Sequence, residues 1–464
     1  MPEYLHPGVY IEEIERGPRP IEGVPTSTAA FLGETERGPI KPRMVTSYKD
    51  FRNWFGDVYA RDKFLPYTVN GFFENGGKRV FICRIVGETA TPADAAFGGD
   101  FSIRAAGPGS WGKRIWVKIL RSTTEAPDQN GALQPIGFRI RVAYWAPQDK
   151  PFDLFDPFDE DNNKKTPRPA YFEEFDDLVT NEGSPDFYGK RLPFIDRDKG
   201  DTNQGPDSSG LIMLVRNQGT APDAQPAFEN KALTEGGVDH VPTLTFNDYV
   251  GLPSQTGART EAQGLAALEL DPYRDVALVY APNADVPTVQ AIVSHCENMR
   301  FRFAAVDCPK TDTERDPRKT LNSDSSYAAY YFPWIYIPDP KTGARKLVPP
   351  TGHTLGVYAR TDNERGVFKA PANETLRGVI DLQVDINDRD QDNLNPRGVN
   401  VIRRFPGRGI RVWGARTITS NALWKYVSVR RLFIFLERSI YEGTQWVVFE
   451  PNDDPADGRT DPVV

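Results

Sequence analysis

The sequence predicts an α/β plus β protein: a central parallel-type α/β domain with an inserted β-rich domain, an extended N-terminal arm and a basic C-terminal α+β domain. Three observations carry this reading. Strands and amphipathic helices alternate over residues 23–92 and again over 245–395, the pattern of a parallel sheet with crossovers. Between them, over 93–244, helical spacing vanishes and short strands separated by turn residues take its place. The two ends differ from both: residues 1–22 are interrupted by proline, and 396–464 open on a run of arginines.

In the arm, Pro2, Pro7, Pro18 and Pro20 forbid a helix and hold their preceding residues extended. Val9, Tyr10, Ile11, Glu12, Glu13 and Ile14 form a short run of strand composition with no turn signal to fold it back. A lone strand needs a sheet to join, and donation to a neighbouring molecule is the simplest solution. These residues are therefore the candidate inter-subunit arm.

The first core strand is read over 26–33. Ser47 and Asp50 start a helix that Gly56 ends, a second helix covers 66–75, and 79–86 returns as a strand. In the inserted region, strands are expected at 101–105, 115–120, 138–144 and 211–215. The polar, acidic stretch 146–209 and the loop 201–210 carry no strand signal. The α/β pattern resumes with a strand at 275–281, a helix capped by Asp285 with Val289, Ile292, Val293 and Cys296 on one face, and a strand at 301–307. Ser420 is read as the cap of a last helix running to Tyr441. Its Ala422, Tyr426, Val429, Phe433, Leu436 and Ile440 follow a 4-3-4-3-4 spacing, an apolar stripe for packing.

With 464 residues, 39% hydrophobic and 26% charged, the chain has the composition of a soluble protein of two or three domains. Its longest strongly apolar run, Leu432–Leu436, is far too short to span a bilayer, and the acid-bearing amino terminus does not read as a secretory leader. Cys83, Cys296 and Cys308 lack metal spacing and read as buried free thiols of a protein made in the cytosol.

Enzyme-like signals fail on inspection. Gly107-Pro108-Gly109-Ser110-Trp111-Gly112-Lys113-Arg114 fits the spacing of a phosphate-binding loop, but Arg114 stands where a hydroxyl should hold magnesium, and a strand follows where a helix is needed. Asp388, Asp390 and Asp392 alternate like a calcium loop, yet Asn393 and Val399 occupy the positions that need glycine and glutamate, so a solvated helix start fits better. His6, His240, His295 and His353 are not paired at metal spacing, no GxSxG is present, and His353 is given a structural role. No cofactor is implied.

The segments HPGVYIEE (6–13), GVPTSTAAFLGETERGP (23–39), SYKDFRNWFG (47–56), NGGKRVFICRIVG (75–87), GSWGKRIWVKI (109–119), GLAALELDPYRDVALVYAP (264–282), FAAVDCP (303–309), GVFKAPANETLRGV (366–379) and LNPRGVNVIRRFPGRGIRVWGART (394–417) resemble, in colinear order, contractile tail sheath proteins. These are the sleeves of contractile-tailed phages, R-type pyocins and phage-derived injection systems. The resemblance implies a non-enzymatic subunit assembled in the bacterial cytoplasm into a phage tail or released contractile particle. Its implied partners are copies of itself, sheath paralogues, an inner tube, and baseplate and terminator proteins; nucleic acid and membrane insertion are not among them. It also implies a central domain of subtilisin-like topology, and fold does not carry function. The resemblance fades near residues 443–453, where sheath proteins usually continue into a C-terminal arm, and that arm is expected to be missing here. The rival reading is an α/β hydrolase or nucleotide-dependent enzyme with a β-rich accessory domain.

Net charge is −8, yet residues 396–438 hold ten Arg or Lys against one acid, Glu437, for about +9. Arg403, Arg404, Arg408 and Arg411 interleave with glycine and Phe405 as in single-strand binders, but the remaining chain is acidic and would repel nucleic acid. Under the sheath resemblance, Arg403, Arg404, Arg408, Arg411 and Lys425 become the candidate contact to an acidic inner tube.

Overall fold

One large sheet organises the α/β part. The computed structural model describes residues 21–449, except 128, 148–155, 160–167, 241–242, 252–262, 312–320 and 322. The run Val9–Ile14 and the tail 450–464 lie outside the described residues. Nine strands line up in the order Arg43–Val45, Val80–Arg84, Ala29–Gly33, Leu278–Tyr280, Phe303–Asp307, Ala328–Phe332, Val399–Phe405, Gly409–Val412 and Glu374–Thr375. The six from Val80–Arg84 to Val399–Phe405 are mutually parallel, and the flanking strands are antiparallel. Central strands such as Ala29-Ala30-Phe31-Leu32-Gly33 are buried at every position, because helices cover both faces and no position is left for a polar residue.

The helices form where the local chemistry starts and stops them. Ser47 Oγ accepts from the Asp50 amide at 3.0 Å to open Tyr48–Phe55, and Gly56, at φ 82°, ends it. Asp285 caps Val286–Met299 through the Thr288 amide in the same way, and Ile292, Val293 and Cys296 are buried. Leu65–Glu74 packs closely on Thr351–Glu364. Gly71 makes this approach possible: a Cβ there would stand 2.3 Å from the His353 ring, so only glycine fits.

A second apolar core, separate from the first, lies among strands of the 91–238 region. Two sheets enclose it. One runs Tyr171–Leu178, Phe138–Tyr144, Ile115–Arg121, Asn230–Ala232; the other runs Phe194–Asp196, Ile212–Arg216, Phe101–Ala105, Thr91–Ala96, Glu235–Val238. Ile103, Ile115, Ile140, Val142 and Leu214 fill the space between them. Tyr171–Leu178 is a strand inside the stretch read as loop. Its acids hid it: Glu173 is spent on the Ser209 hydroxyl and the Gly210 amide, not on solvent.

Buried polar groups join the two cores. Arg37 donates to the carbonyls of Arg52, Asn53 and Trp54, and its guanidinium lies 4.9 Å from the Tyr144 ring centre. Glu36 accepts from Tyr144 Oη at 2.6 Å, and Arg84 donates to the carbonyls of Gly38 and Pro108. Ser110–Arg114 is a single 3-10 turn leading into Ile115–Arg121, so the glycine-rich segment is a turn before a strand and not a phosphate loop.

The C-terminal stretch departs from expectation. A basic domain of its own was expected over 396–464, but Val399–Phe405 and Gly409–Val412 extend the main sheet. Val399, Val401, Ile402, Val412, Ile418, Val427 and Ile434 belong to the first core. The strand run at 399–405 is apolar enough to be drawn into the larger sheet, so no second core forms there. The last helix is Val427–Gly443, and Ser420 does not cap it: its hydroxyl is bound to Asp324 instead. No helix among the described residues is long and apolar enough to cross a membrane.

Candidate functional site

The charged hairpin comes first. Val399–Phe405 and Gly409–Val412 pair antiparallel, turning through Pro406-Gly407-Arg408 with Gly407 at φ 69°. The structure divides the candidate arginines. Arg403 is buried: its Nη1 donates to Asp388 at 2.7 Å and to Gln391 at 2.8 Å, and its Nε to the Ile386 carbonyl at 3.0 Å. It braces the helix Asp388–Leu394, the segment considered as a calcium loop. Arg404 is about half-exposed and paired with Asp381, while Arg408 stands exposed at the hairpin tip. Arg411 holds the carbonyls of Arg408 and Asn373 at 2.9 and 2.8 Å. Lys425 sits on the segment entering the last helix, 5.1 Å above the Tyr426 ring. The exposed basic surface is therefore smaller than the count of ten cations implied.

The missing cations are inside. On Val427–Gly443 the buried positions are Val427, Arg430, Arg431, Ile434, Arg438 and Ser439. Arg431 forms a two-pronged pair with Asp362 at 2.9 and 2.5 Å, and also donates to the Thr26 carbonyl. Burial pulls its pKa down, but the charge and hydrogen bond of Asp362 more than offset this and hold it above the ordinary value. Arg438 pairs with Asp275 at 3.2 Å and Glu442 at 2.8 Å. Arg430 stacks 3.7 Å over the Trp424 ring and 4.5 Å over Tyr327. Reading them as surface charge missed these three. The signal was present: positions 431, 434 and 438 share one helical face, opposite the apolar stripe.

That stripe faces outward. Tyr426, Phe433, Leu436 and Ile440 are 42%, 43%, 42% and 48% exposed, and Leu423, Tyr441, Trp446 and Val448 nearby are exposed too. The spacing predicted an apolar face for packing, and the rest of the described chain leaves it about half-exposed, with Phe433 edge-on to Trp424, because the opposite face carries the buried ion pairs.

The root of the arm is seated on the same helix. The Val24 amide donates to Ser439 Oγ at 3.2 Å, and Thr26 Oγ1 donates to Asp362 at 2.7 Å. Gly23 lies against Phe435, and Ile21 sits where a Cβ on Gly443 would stand. The chain thus runs along the flank of the C-terminal helix, and Arg431 and Asp362 hold it at Thr26.

An enzyme on this fold would carry its chemistry at the carboxyl ends of the parallel strands. A cavity of about 420 Å³ is there, lined by Asn283, Asp285, Asp307, Cys308, Lys310 and Tyr330 among others. Burial pushes Asp307 up to about 6, but its oxygens already accept from Tyr280 Oη at 2.5 Å and the Thr351 amide at 3.1 Å. No histidine or serine is among the described lining residues. His353 is buried on its helix, driven down to about 4 by desolvation. His295 contacts Arg302 Nη1 at 2.7 Å and is held down to about 3 by burial and by that arginine. Both histidines are structural elements of the core.

Residues 256–418 match the family described as phage tail sheath protein central domain. A putative prophage major tail sheath protein of Pseudomonas aeruginosa (strain UCBPP-PA14) is 26% identical over 215 residues, 45% of this chain and 55% of that protein. The chain spans about half the length of the curated relatives it matches, or less. In fold it is similar to the crystal structure of the sheath tail protein Lin1278 from Listeria innocua. The TM-score is 0.54 at 13% identity, covering 92% of this chain and 79% of the other. It is also similar to the sheath of an extracellular contractile injection system in its contracted state, at TM-score 0.51 and 19% identity, over 98% and 78% of the two chains.

Proposed function

We propose, from the premise that this chain belongs to the contractile phage tail sheath family, that it is a structural subunit of a contractile sleeve. Copies polymerise around an inner tube, and contraction of the sleeve drives the tube through a target envelope. The observation that carries the reading is the match of residues 256–418 to the sheath central domain. The family is non-enzymatic, and the occupied state of Asp307 agrees with that.

Each part of the chain takes a role in this reading. The arm, 1–22, with Val9, Tyr10, Ile11, Glu12 and Ile14, is donated as a strand to neighbouring subunits, so that they stay linked while they reorient. The region 93–244, with its separate core, lies on the outside of the sleeve, where polar loops such as 201–210 are tolerated. The residues 23–92 and 245–395 form the body. Arg404, Arg408, Arg411 and Lys425 face an acidic tube, and Arg403 serves that surface from inside by holding the hairpin to Asp388–Leu394. Partners are copies of the chain, sheath paralogues, the tube, and baseplate and terminator proteins. The setting is a phage tail or contractile injection particle.

Negative-stain imaging of the full chain, concentrated alone and co-expressed with an inner-tube protein, tests the role. Striated sleeves or stacked rings are expected. A monodisperse species that never associates with tube under either condition would overturn it.

A further inference from the structure

Four strands of the β-rich region have their ends together. Ile115–Arg121 and Tyr171–Leu178 finish, and Phe138–Tyr144 and Asn230–Ala232 start, at the same end of their shared antiparallel sheet. The loops at this end surround an open cavity of about 610 Å³, within the roughly 300–1,000 Å³ of small-ligand sites.

The backbone of each wall is fixed. Gly137 lies so close under the neighbouring strand that a Cβ would stand 2.0 Å from the Leu178 carbonyl oxygen. Its amide donates to Ser122 Oγ at 3.1 Å, and its carbonyl accepts from the Ser122 amide at 3.0 Å. The Phe228 loop is pinned on both sides, by the Ala227 amide on the Phe97 carbonyl at 3.1 Å and the Ile119 amide on the Glu229 carbonyl at 2.9 Å. Asn181 shapes the third wall: its Oδ1 accepts from the Gly183 amide at 2.9 Å and its carbonyl from the Ser184 amide at 3.0 Å.

The lining side chains are, by contrast, unengaged. Arg121, Gln134, Thr180 and Gln225 make no side-chain hydrogen bond to another described residue, and neither does Asn181 Nδ2. Phe228 is 45% exposed, although the walls beside it are rigid. Among the described lining residues Arg121 is the one charged group and there is no carboxylate. A cation therefore finds no counter-charge, and a polyanion finds only one guanidinium. Amides both donate and accept, as a sugar hydroxyl does, so three of them suit a ligand dense in hydroxyls. Phe228 supplies the flat apolar face against which the C–H side of a pyranose ring can lie. A peptide is served less well: the strand lining the cavity, Leu133–Pro135, has three residues and ends on proline, which has no amide to pair.

We propose that this cavity is a carbohydrate site for a neutral oligosaccharide, with one ring on Phe228 and its hydroxyls on Gln134, Asn181 and Gln225. A fixed backbone beneath free amides keeps the ordering cost of binding low. The site rests on the fold of the β-rich region alone. Its access to envelope or capsule polysaccharide in an assembled sleeve rests on the outward placement proposed above.

The test is isothermal titration of the full chain with maltotriose, cellotriose, laminaritriose, mannotriose and chitotriose, and with tetra-alanine as the uncharged peptide probe. At least one trisaccharide should bind with a Kd below about 1 mM. Phe228→Ala should weaken that binding at least tenfold, and so should Gln134→Ala with Asn181→Ala, which keeps the test decisive if the first variant fails to fold. Phe172→Ala, at the opposite end of the same sheet and 49% exposed, should leave it unchanged. No trisaccharide bound, binding that survives the folded groove variants, or Phe228-dependent binding of tetra-alanine in place of the saccharides would overturn the proposal. Each of these results leaves the imaging test of the sheath role untouched, so the two failures are distinguishable.

Discussion

Two helices of this protein bury opposite chemistry. Thr351–Glu364 is buried from Thr351 to Thr361, with Leu355, Val357, Tyr358 and Ala359 in the core. Val427–Gly443 turns arginines inward and leaves Phe433, Leu436 and Ile440 half in water. The first helix supplies the reason for the second. Asp362, near its end, and Tyr358, 4.8 Å from the Arg431 guanidinium, offer that arginine a partner that no apolar residue could satisfy. The difference teaches that an amphipathic stripe reports a face that wants covering, and not which molecule covers it.

The strongest attack on this comparison is to remove the inward partner. Asp362→Ala leaves Arg431 buried and uncompensated, and should lower unfolding free energy by about 3–5 kcal/mol. A denaturant melt would measure it, and a loss under about 1 kcal/mol would mean that the buried pair does not hold the helix down. Leucines sharpen the contrast next. Leu355→Ala should cost about 2–5 kcal/mol by opening a cavity, whereas Leu436→Ala, on the outward stripe, should cost less than about 1 kcal/mol. Equal losses in thermal melts would show that the stripe is packed after all.

Acid should act on the first helix. The folded state holds His353 at about 4, below its unfolded value of about 6.5. Its contribution to stability is therefore complete above pH 6.5 and is lost as pH falls towards about 4, up to about 3 kcal/mol. His353→Gln should flatten the pH dependence of the melting temperature in that window. An unchanged slope would place the acid sensitivity elsewhere, with His295 the next candidate.

The smallest effect is expected at the exposed arginines. Arg404→Glu with Arg408→Glu should leave the melting temperature within a degree or two while weakening association with an inner tube, an effect that added salt reproduces. Each pair contributes only about 0.2–1 kcal/mol, multiplied over repeated subunits. Arg403→Glu should differ in kind, lowering the melting temperature because Asp388 and the Ile386 carbonyl lose their donor. If the double variant melts early and Arg403→Glu does not, the division of the hairpin into exposed and internal arginines is wrong.

Local chemistry was enough for the sequence to determine much of the α/β part. Ser47, Gly56 and Asp285 mark helix ends through side-chain and backbone bonds made within four residues, and these stand where their spacing placed them. Strands such as Phe101–Ala105 and Phe138–Tyr144 were legible because burial on one or both faces imposes a pattern of period two or a continuous apolar run. The strand Tyr171–Leu178 was not, since one of its acids, Glu173, finds its partners 36 and 37 residues away at Ser209 and Gly210. The candidate site was legible only as composition: a basic count, an apolar stripe and an arm. Only the tertiary structure decided which arginines face water and which face Asp362, Asp275 and Asp388, because an ion pair between distant segments leaves no period in the sequence of either one.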